Sequence, residues 1–310
     1  MKLLISYDGS GCSEAAIDDL TAAGLPPEGE AIVIAVAEVW LPPPATAGED
    51  EPVQSAYIES IVEKHRKHGE SLVAEAQVLA ERAASRVRLV LPRWKVTADA
   101  TYGSPAWEVI KKAESYRPDL IVVGSHGHSS IGRLLLGSIS QRILTESTCS
   151  VRVARGRVQV DPAAARIVVG FDGSEGAKAA VDAVAARKWL DGTEVRLFAA
   201  LDDVSPSIVG RFIPQVSDMT EEMNDAERDW IKKLAEEPLK MLNKVGLHAS
   251  LHLFNGNPRG VLVEEAERWN ADCIFVGANA FGSRIERFLI GSTSAAVAAR
   301  AHCSVEVVRK

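Results

Sequence analysis

Ile5-Ser6-Tyr7-Asp8-Gly9-Ser10 returns in the second half of the chain as Val169-Gly170-Phe171-Asp172-Gly173-Ser174. In both places a short apolar strand runs into Asp-Gly-Ser. Further along each half, a second apolar strand ends in glycine: Leu120-Ile121-Val122-Val123-Gly124 and Cys273-Ile274-Phe275-Val276-Gly277. A glycine-serine pair follows, Gly137-Ser138-Ile139-Ser140 and Gly291-Ser292-Thr293-Ser294, and each half closes on a strand, Cys149–Val153 and Cys303–Val307. Self-similarity in constant order at this spacing means two copies of one domain. The expected domains are residues 1–155 and 166–310, joined by a linker over 156–165.

Between these landmarks, strand and helix patterns alternate. In the first half, strands are expected at 2–7, 31–39, 95–101, 120–124 and 151–154. Helices are expected at 13–23, 53–86, 105–116 and 138–145, with an acidic, proline-rich loop over 41–52. The second half repeats the order, with helices at 176–190, 218–245, 258–269 and 292–300 and a kink at Pro238. Such alternation predicts the α/β class: two tandem, doubly wound, five-stranded parallel sheets with helices on both faces. Right-handed crossovers place the first and fourth strands of each half side by side, and ligands of such sheets bind beyond the carboxyl ends of the strands at that reversal. Asp8 ends one of those strands and Gly124 the other.

Composition narrows the function. The chain has 310 residues, 46% hydrophobic, 25% charged and 5% aromatic, the proportions of a soluble globular protein of two domains. A net charge of −7 argues against nucleic acid as a partner, because a phosphate-backbone reader carries a basic face. Four cysteines without Cys-x-x-Cys spacing give neither a disulfide framework nor a zinc site. No apolar run approaches the length of a membrane span. Met1-Lys2 leads straight into a strand, so the expected location is the cytoplasm.

The loop after the fourth strand carries the chemistry. Two residues separate Gly124 from Gly127, nine separate Gly127 from Gly137, and Ser138 opens a helix. Glycines let backbone approach a phosphate, successive N–H groups form an anion nest, and a helix N-terminus adds unpaired amides and a positive dipole end. This Gly-x2-Gly-x9-Gly-Ser spacing, together with Asp8-Gly9-Ser10, resembles the nucleotide-binding branch of the universal stress protein family. Tyr102-Gly103-Ser104-Pro105-Ala106 is similar to that family's segment before its third helix. The resemblance covers both halves. It implies a Rossmann-like domain of the adenine nucleotide alpha-hydrolase type, a stress-response role, and ATP as ligand with Mg2+ as its companion ion. By position, Asp8 corresponds to the acid near adenine and ribose and Val36 to the residue meeting the base. Gly124, Gly127, Gly137 and Ser138 correspond to the ribose and phosphate contacts. Ser140, on the first helical turn, is a further phosphate candidate, and Arg133 is either a phosphate contact or a solvated charge.

The second half departs from the pattern. Asp172, Gly277, Gly291 and Ser292 stand in place, but Ala280 replaces the second glycine and the stretch before Gly291 is one residue longer. Simpler readings stand beside these. Asp8 and Asp172 are also candidate helix caps. His126 and His128 without a third ligand read as solvent-facing rather than metal-binding. Cys149 and Cys303 read as small core residues. No catalytic residue is assigned: the chain lacks the Gly-x4-Gly-Lys phosphate loop, so any ATP hydrolysis is expected to be slow. Three functions remain open: an ATP-binding regulator, a weak ATP hydrolase, and a nucleotide-free dimeric adaptor. The family resemblance also implies an intrachain pseudo-dimer through the last strands, 151–154 against 305–308, with a homodimer as a further step.

Overall fold

Leu3, Leu4 and Ile5 are buried on both faces of the first strand, as the unbroken apolar run requires. The computed structural model builds the first half as β1 (Lys2–Ser6), α1 (Gly11–Asp18), a 3-10 turn (Asp19–Ala22), β2 (Glu30–Ala37), α2 (Ser55–Val90), β3 (Lys95–Tyr102), α3 (Pro105–Tyr116), β4 (Leu120–Gly124), α4 (Ser138–Glu146) and β5 (Ser150–Ala154). The second half follows as β6 (Arg166–Gly170), α5 (Glu175–Ala185), β7 (Glu194–Leu201), α6 (Pro214–Lys244), β8 (His248–Asn255), α7 (Pro258–Arg268), β9 (Cys273–Gly277), α8 (Ser292–Arg300) and β10 (Ser304–Val308). The structure describes residues 1–39, 55–127, 136–155, 164–201, 214–278 and 290–309, without the side chains of 55–62, 65, 214–218, 220 and 221. The proline-rich loop, most of the linker, His128, Arg133 and Ala280 lie outside the described residues.

The strand order is β3-β2-β1-β4-β5-β10-β9-β6-β7-β8. Within each half all pairings are parallel, and β1 pairs β4 as β6 pairs β9, so the winding reverses where the sequence places it. The two five-stranded sheets meet edge to edge. β5 and β10 pair antiparallel, Glu306 opposite Arg152, which covers two edges that would otherwise be exposed. Val151, Val153, Val305 and Val307 from these strands belong to one core cluster shared by both halves.

That junction buries charge. Arg152 has no exposed surface. Its Nε lies 2.5 Å from Asp19 Oδ2 and its Nη1 3.4 Å from Glu306 Oε2. Glu306 also accepts from Arg187, whose Nη1 donates to the Ala23 carbonyl at 2.7 Å. The Ser304 hydroxyl donates to Asp19 at 2.6 Å. Two cations and two anions, drawn from both halves, thus neutralise one another inside the join.

Local chemistry moves some helix ends. The first helix begins at Gly11 because the Ser10 hydroxyl accepts from the Ser13 N–H at 3.2 Å. Ser174 caps α5 in the same way, at 3.1 Å from the Ala177 N–H. Asp8 and Asp172 are therefore not the caps. Each accepts from the backbone N–H two residues on, Ser10 and Ser174, at 2.9 Å, fixing the turn between strand and helix. α5 stops at Ala185, short of the expected 190, and the Trp189 indole folds back to donate to the Val184 carbonyl. α6 continues through Pro238. Among the described residues, no helix is long and apolar enough to cross a membrane.

Candidate functional site

Where β1 and β4 diverge, the first half opens a cavity of about 410 Å³. All seven first-half candidates, Asp8, Val36, Gly124, Gly127, Gly137, Ser138 and Ser140, line it. Its lining divides by chemistry into apolar side chains, among them Ala35 and Val36 of β2 and Ala76 and Leu79 of α2, and polar groups, among them Asp8, His126, Ser138 and the backbone of Gly124, Gly127 and Gly137. Such a division suits a ligand with a flat apolar part and an anionic tail.

The backbone part of that lining owes its shape to glycine. A Cβ on Gly124 would lie 2.8 Å from the Cys12 carbonyl, so β4 and the start of α1 approach closely only without a side chain there. A Cβ on Gly127 would lie 2.9 Å from Asp8 Oδ2. Gly137 is the N-cap of α4, in extended conformation, and no side chain caps that helix. The Gly137 N–H is spent on the Ser125 carbonyl at 2.8 Å, which folds the turn against the helix start. The first-turn amides of α4 therefore lack a side-chain acceptor and border the cavity, an arrangement that favours an anion. The α1 and α5 termini also touch the cavities, through Ser13 and through Ser174 and Ala177, but a serine hydroxyl already accepts from one of their first-turn amides.

Ser140 plays a different part from the one expected. Its hydroxyl donates to the Gly124 carbonyl at 2.7 Å and is buried, so it clamps α4 to the end of β4. What it retains for a ligand is its backbone amide. Ser294 repeats the clamp on Gly277 at 2.6 Å.

His126 is a residue that sequence reasoning set aside as solvent-facing. It is half-buried and lines the cavity. Its Nδ1 lies 3.1 Å from the Ser125 hydroxyl, and Nε2 is buried without a hydrogen-bond partner. Burial, and then the nearby Arg155 charge, hold its pKa below the ordinary 6.5, which favours the neutral ring. Tyr7 is another residue of the lining. Its hydroxyl donates to Glu14, and burial followed by that bond pushes its pKa up to about 12. Glu14 accepts in turn from Arg86, whose Nη2 also reaches Asp18 at 2.5 Å. This chain braces the strand end that carries Asp8. The only sequence signal for Tyr7 was its place beside Asp8.

The second half brings Asp172, Gly277, Gly291 and Ser292 together around a cavity of about 180 Å³. Gly291 is again an N-cap without a side-chain bond. The apolar lining differs: it includes Phe198 and Ala200 of β7 and, among the described residues, no side chain of α6. Arg259, next to the proline that starts α7, donates to the Ser292 hydroxyl at 2.8 Å. Ala106 stands beside the corresponding Pro105 in the first half. Among the described residues, no group of three or more His, Cys, Asp or Glu side chains is placed to hold a metal ion.

The model of the universal stress protein family matches residues 1–155 and again 164–309. Universal stress protein YxiE of Bacillus subtilis is 28% identical over 156 residues, covering 50% of this chain and 98% of that protein. Universal stress protein Mb2028c of Mycobacterium bovis is 25% identical over 258 residues, 78% of this chain and 77% of its own. Among solved structures, a universal stress protein from Archaeoglobus fulgidus superposes with a TM-score of 0.60 at 21% identity, over 99% of this chain and 98% of that one.

Proposed function

This chain belongs to the universal stress protein family, and on that footing we propose that it is an ATP-binding regulatory protein whose nucleotide sits in the first cavity. The observation that carries the reading is the uncapped N-terminus of α4. Its amides border a cavity whose lining also includes Gly124, Gly127 and Gly137 and the apolar side chains of Val36 and Leu79. In this reading the apolar side chains take the adenine, Asp8 the ribose, and the α4 amides with the Ser138 hydroxyl the phosphates. Mg2+ is then held by phosphate oxygens and water rather than by a protein cage, the usual manner for that ion. The same reading has ATP bound rather than turned over, with hydrolysis slow at most.

The second cavity keeps the phosphate corner but is smaller, and Arg259 already engages Ser292. We therefore propose one ATP per chain, with the second half as partner and scaffold. The domain division at 1–155 and 166–310, a cytoplasmic location and association of two chains remain parts of this proposal. They are supported by the repeat, the cysteine usage and the family.

The test is direct. Purified protein is denatured and the released small molecules separated by chromatography, and nucleotide-free protein is titrated with ATP by calorimetry. One equivalent per chain is expected. In Gly137→Val, branched methyls would enter a space where a Cβ already lies 3.3 Å from the His126 Cα, and binding should be lost. Unchanged affinity in a folded Gly137→Val protein, or no binding by the parent, would overturn the assignment. Phosphate release well above background would favour the hydrolase instead.

A further inference from the structure

Arg155 and Arg309 follow the last strand of each half. Ala154, before Arg155, pairs with Gly124; Val308, before Arg309, pairs with Gly277. Each arginine is thus rooted beside the glycine that opens its own half's cavity. Each guanidinium, however, reaches into the other half. Arg155 Nη2 donates to the Ala298 carbonyl at 2.7 Å and the Ala299 carbonyl at 3.2 Å, in the last turn of α8. Arg309 Nη2 donates to the Leu144 carbonyl at 2.6 Å, in the last turn of α4. The backbone repeats the exchange: the Arg155 N–H donates to Ser304 Oγ at 3.0 Å and the Arg309 N–H to Ser150 Oγ at 3.1 Å.

Helix C-termini offer unpaired carbonyls and a negative dipole end, so both contacts are chemically apt. They are also confining. Arg155 Nε and Nη1 and Arg309 Nε are buried without partners, and burial holds both guanidinium pKa values below the ordinary arginine value. A buried cation with few acceptors depends on the ones it has.

The far ends of the same two helices build the cavities. α4 begins at the Gly137–Ser138 corner of the first, and α8 at the Gly291–Ser292 corner of the second. Each helix is nine residues long, a rigid rod of about 14 Å. The first cavity's glycine turn is therefore tied through Arg155 to the helix that forms the second cavity's corner. The second cavity's glycine strand is tied through Arg309 to the helix that forms the first cavity's corner. We propose that this crossed pair of arginines couples the two cavities, so that a ligand seated in the first changes the conformational freedom of the second. The inference rests on the nucleotide reading above for its natural ligand, but not for its test.

The test is hydrogen exchange on the full chain, with ATP as the probe and calorimetry alongside. In the parent protein, saturating ATP should slow exchange by about 5-fold or more both at the start of α4 and, across the join, at Gly277–Ala278 and the first turn of α8. In Arg155→Met/Arg309→Met, the slowing should stay in the first half. The single variants, each keeping one link, should show a reduced distant response and give the same comparison without relying on the double variant to fold. A ligand-free arm separates the two readings: Gly137→Ala disturbs the first corner by mutation and should alter exchange at Ser292–Ala295 only while the arginines are present. If ATP gives no heat but Gly137→Ala still reaches α8, the nucleotide reading falls and the coupling stands. If ATP binds and neither perturbation crosses the join, or if the distant response persists undiminished in the double variant, the coupling is overturned.

Discussion

His126 shows how much a single ring depends on chain far from it. The imidazole loses water to the surrounding turn and feels Arg155, a cation delivered by the end of β5. Both effects disfavour the protonated form, burial more than charge. The sign follows. A histidine whose pKa is lower folded than unfolded contributes stability that is fully present above the ordinary 6.5 and is lost as pH falls from there through the folded value. An NMR titration of the assigned ring should give a midpoint below 6.5 in the parent. In Arg155→Met, which removes the charge and keeps most of the stem, the midpoint should rise toward 6.5. A midpoint of 6.5 or above in the parent would contradict the burial described. Nothing in Ser125-His126-Gly127 announces this, because a loop histidine has no periodicity to show whether it is covered. The glycines around it were legible, since their spacing is itself the signal. Ser140 was expected near the cavity and lines it, but its bond to the Gly124 carbonyl needed coordinates.

Two kinds of helix start divide the labour among the elements. α1 and α5 begin at a serine whose hydroxyl satisfies a first-turn amide. α4 and α8 begin at a glycine that satisfies none. Both kinds border the cavities, but only the second leaves its first-turn amides there without a side-chain acceptor. Ser10→Ala should therefore cost about 1 kcal/mol, read as a lower urea midpoint of the full chain. A cost below a few tenths would mean that backbone or water replaces the cap. Element boundaries were readable from sequence where glycine or proline marks them. α3 at Pro105–Tyr116, β4 at Leu120–Gly124, β9 at Cys273–Gly277 and α8 at Ser292–Arg300 fall where the pattern puts them. The reading slipped where the mark is a side-chain bond. Ser10 starts α1 at Gly11, two residues before the expected 13, and α5 gives way before the Trp189 indole turns back onto Val184.

At the scale of the molecule, the join between the halves rests on strand pairing and on a charge cluster that no sequence pattern advertises. Arg152, Asp19, Glu306 and Arg187 are far apart in the chain. Only the antiparallel docking of β5 on β10 sets Arg152 opposite Glu306. From the strands alone, valine alternation permits such docking without specifying the partner. The buried charges add a preference: two copies of β5 paired in this register would set two Arg152 cations face to face, and two copies of β10 two Glu306 anions, so that buried like charges would replace the Arg152–Glu306 attraction across the join even though Asp19 and Arg187 stay with their own halves. Breaking the cluster by removing one member should be costly. Arg152→Met leaves Asp19 and Glu306 buried with reduced compensation, and a loss of about 3–5 kcal/mol is expected from urea unfolding of the full chain. Removing all four charges together, as Asp19→Asn, Arg152→Met, Arg187→Met and Glu306→Gln, should cost less than Arg152→Met alone. Neutral groups of similar shape carry no desolvated charge, and buried ion clusters seldom outperform such replacements. If the single variant loses less than about 1 kcal/mol, or if the fourfold variant loses the sum of its parts, the four residues act as independent surface-like charges and the join owes its partner choice to packing alone.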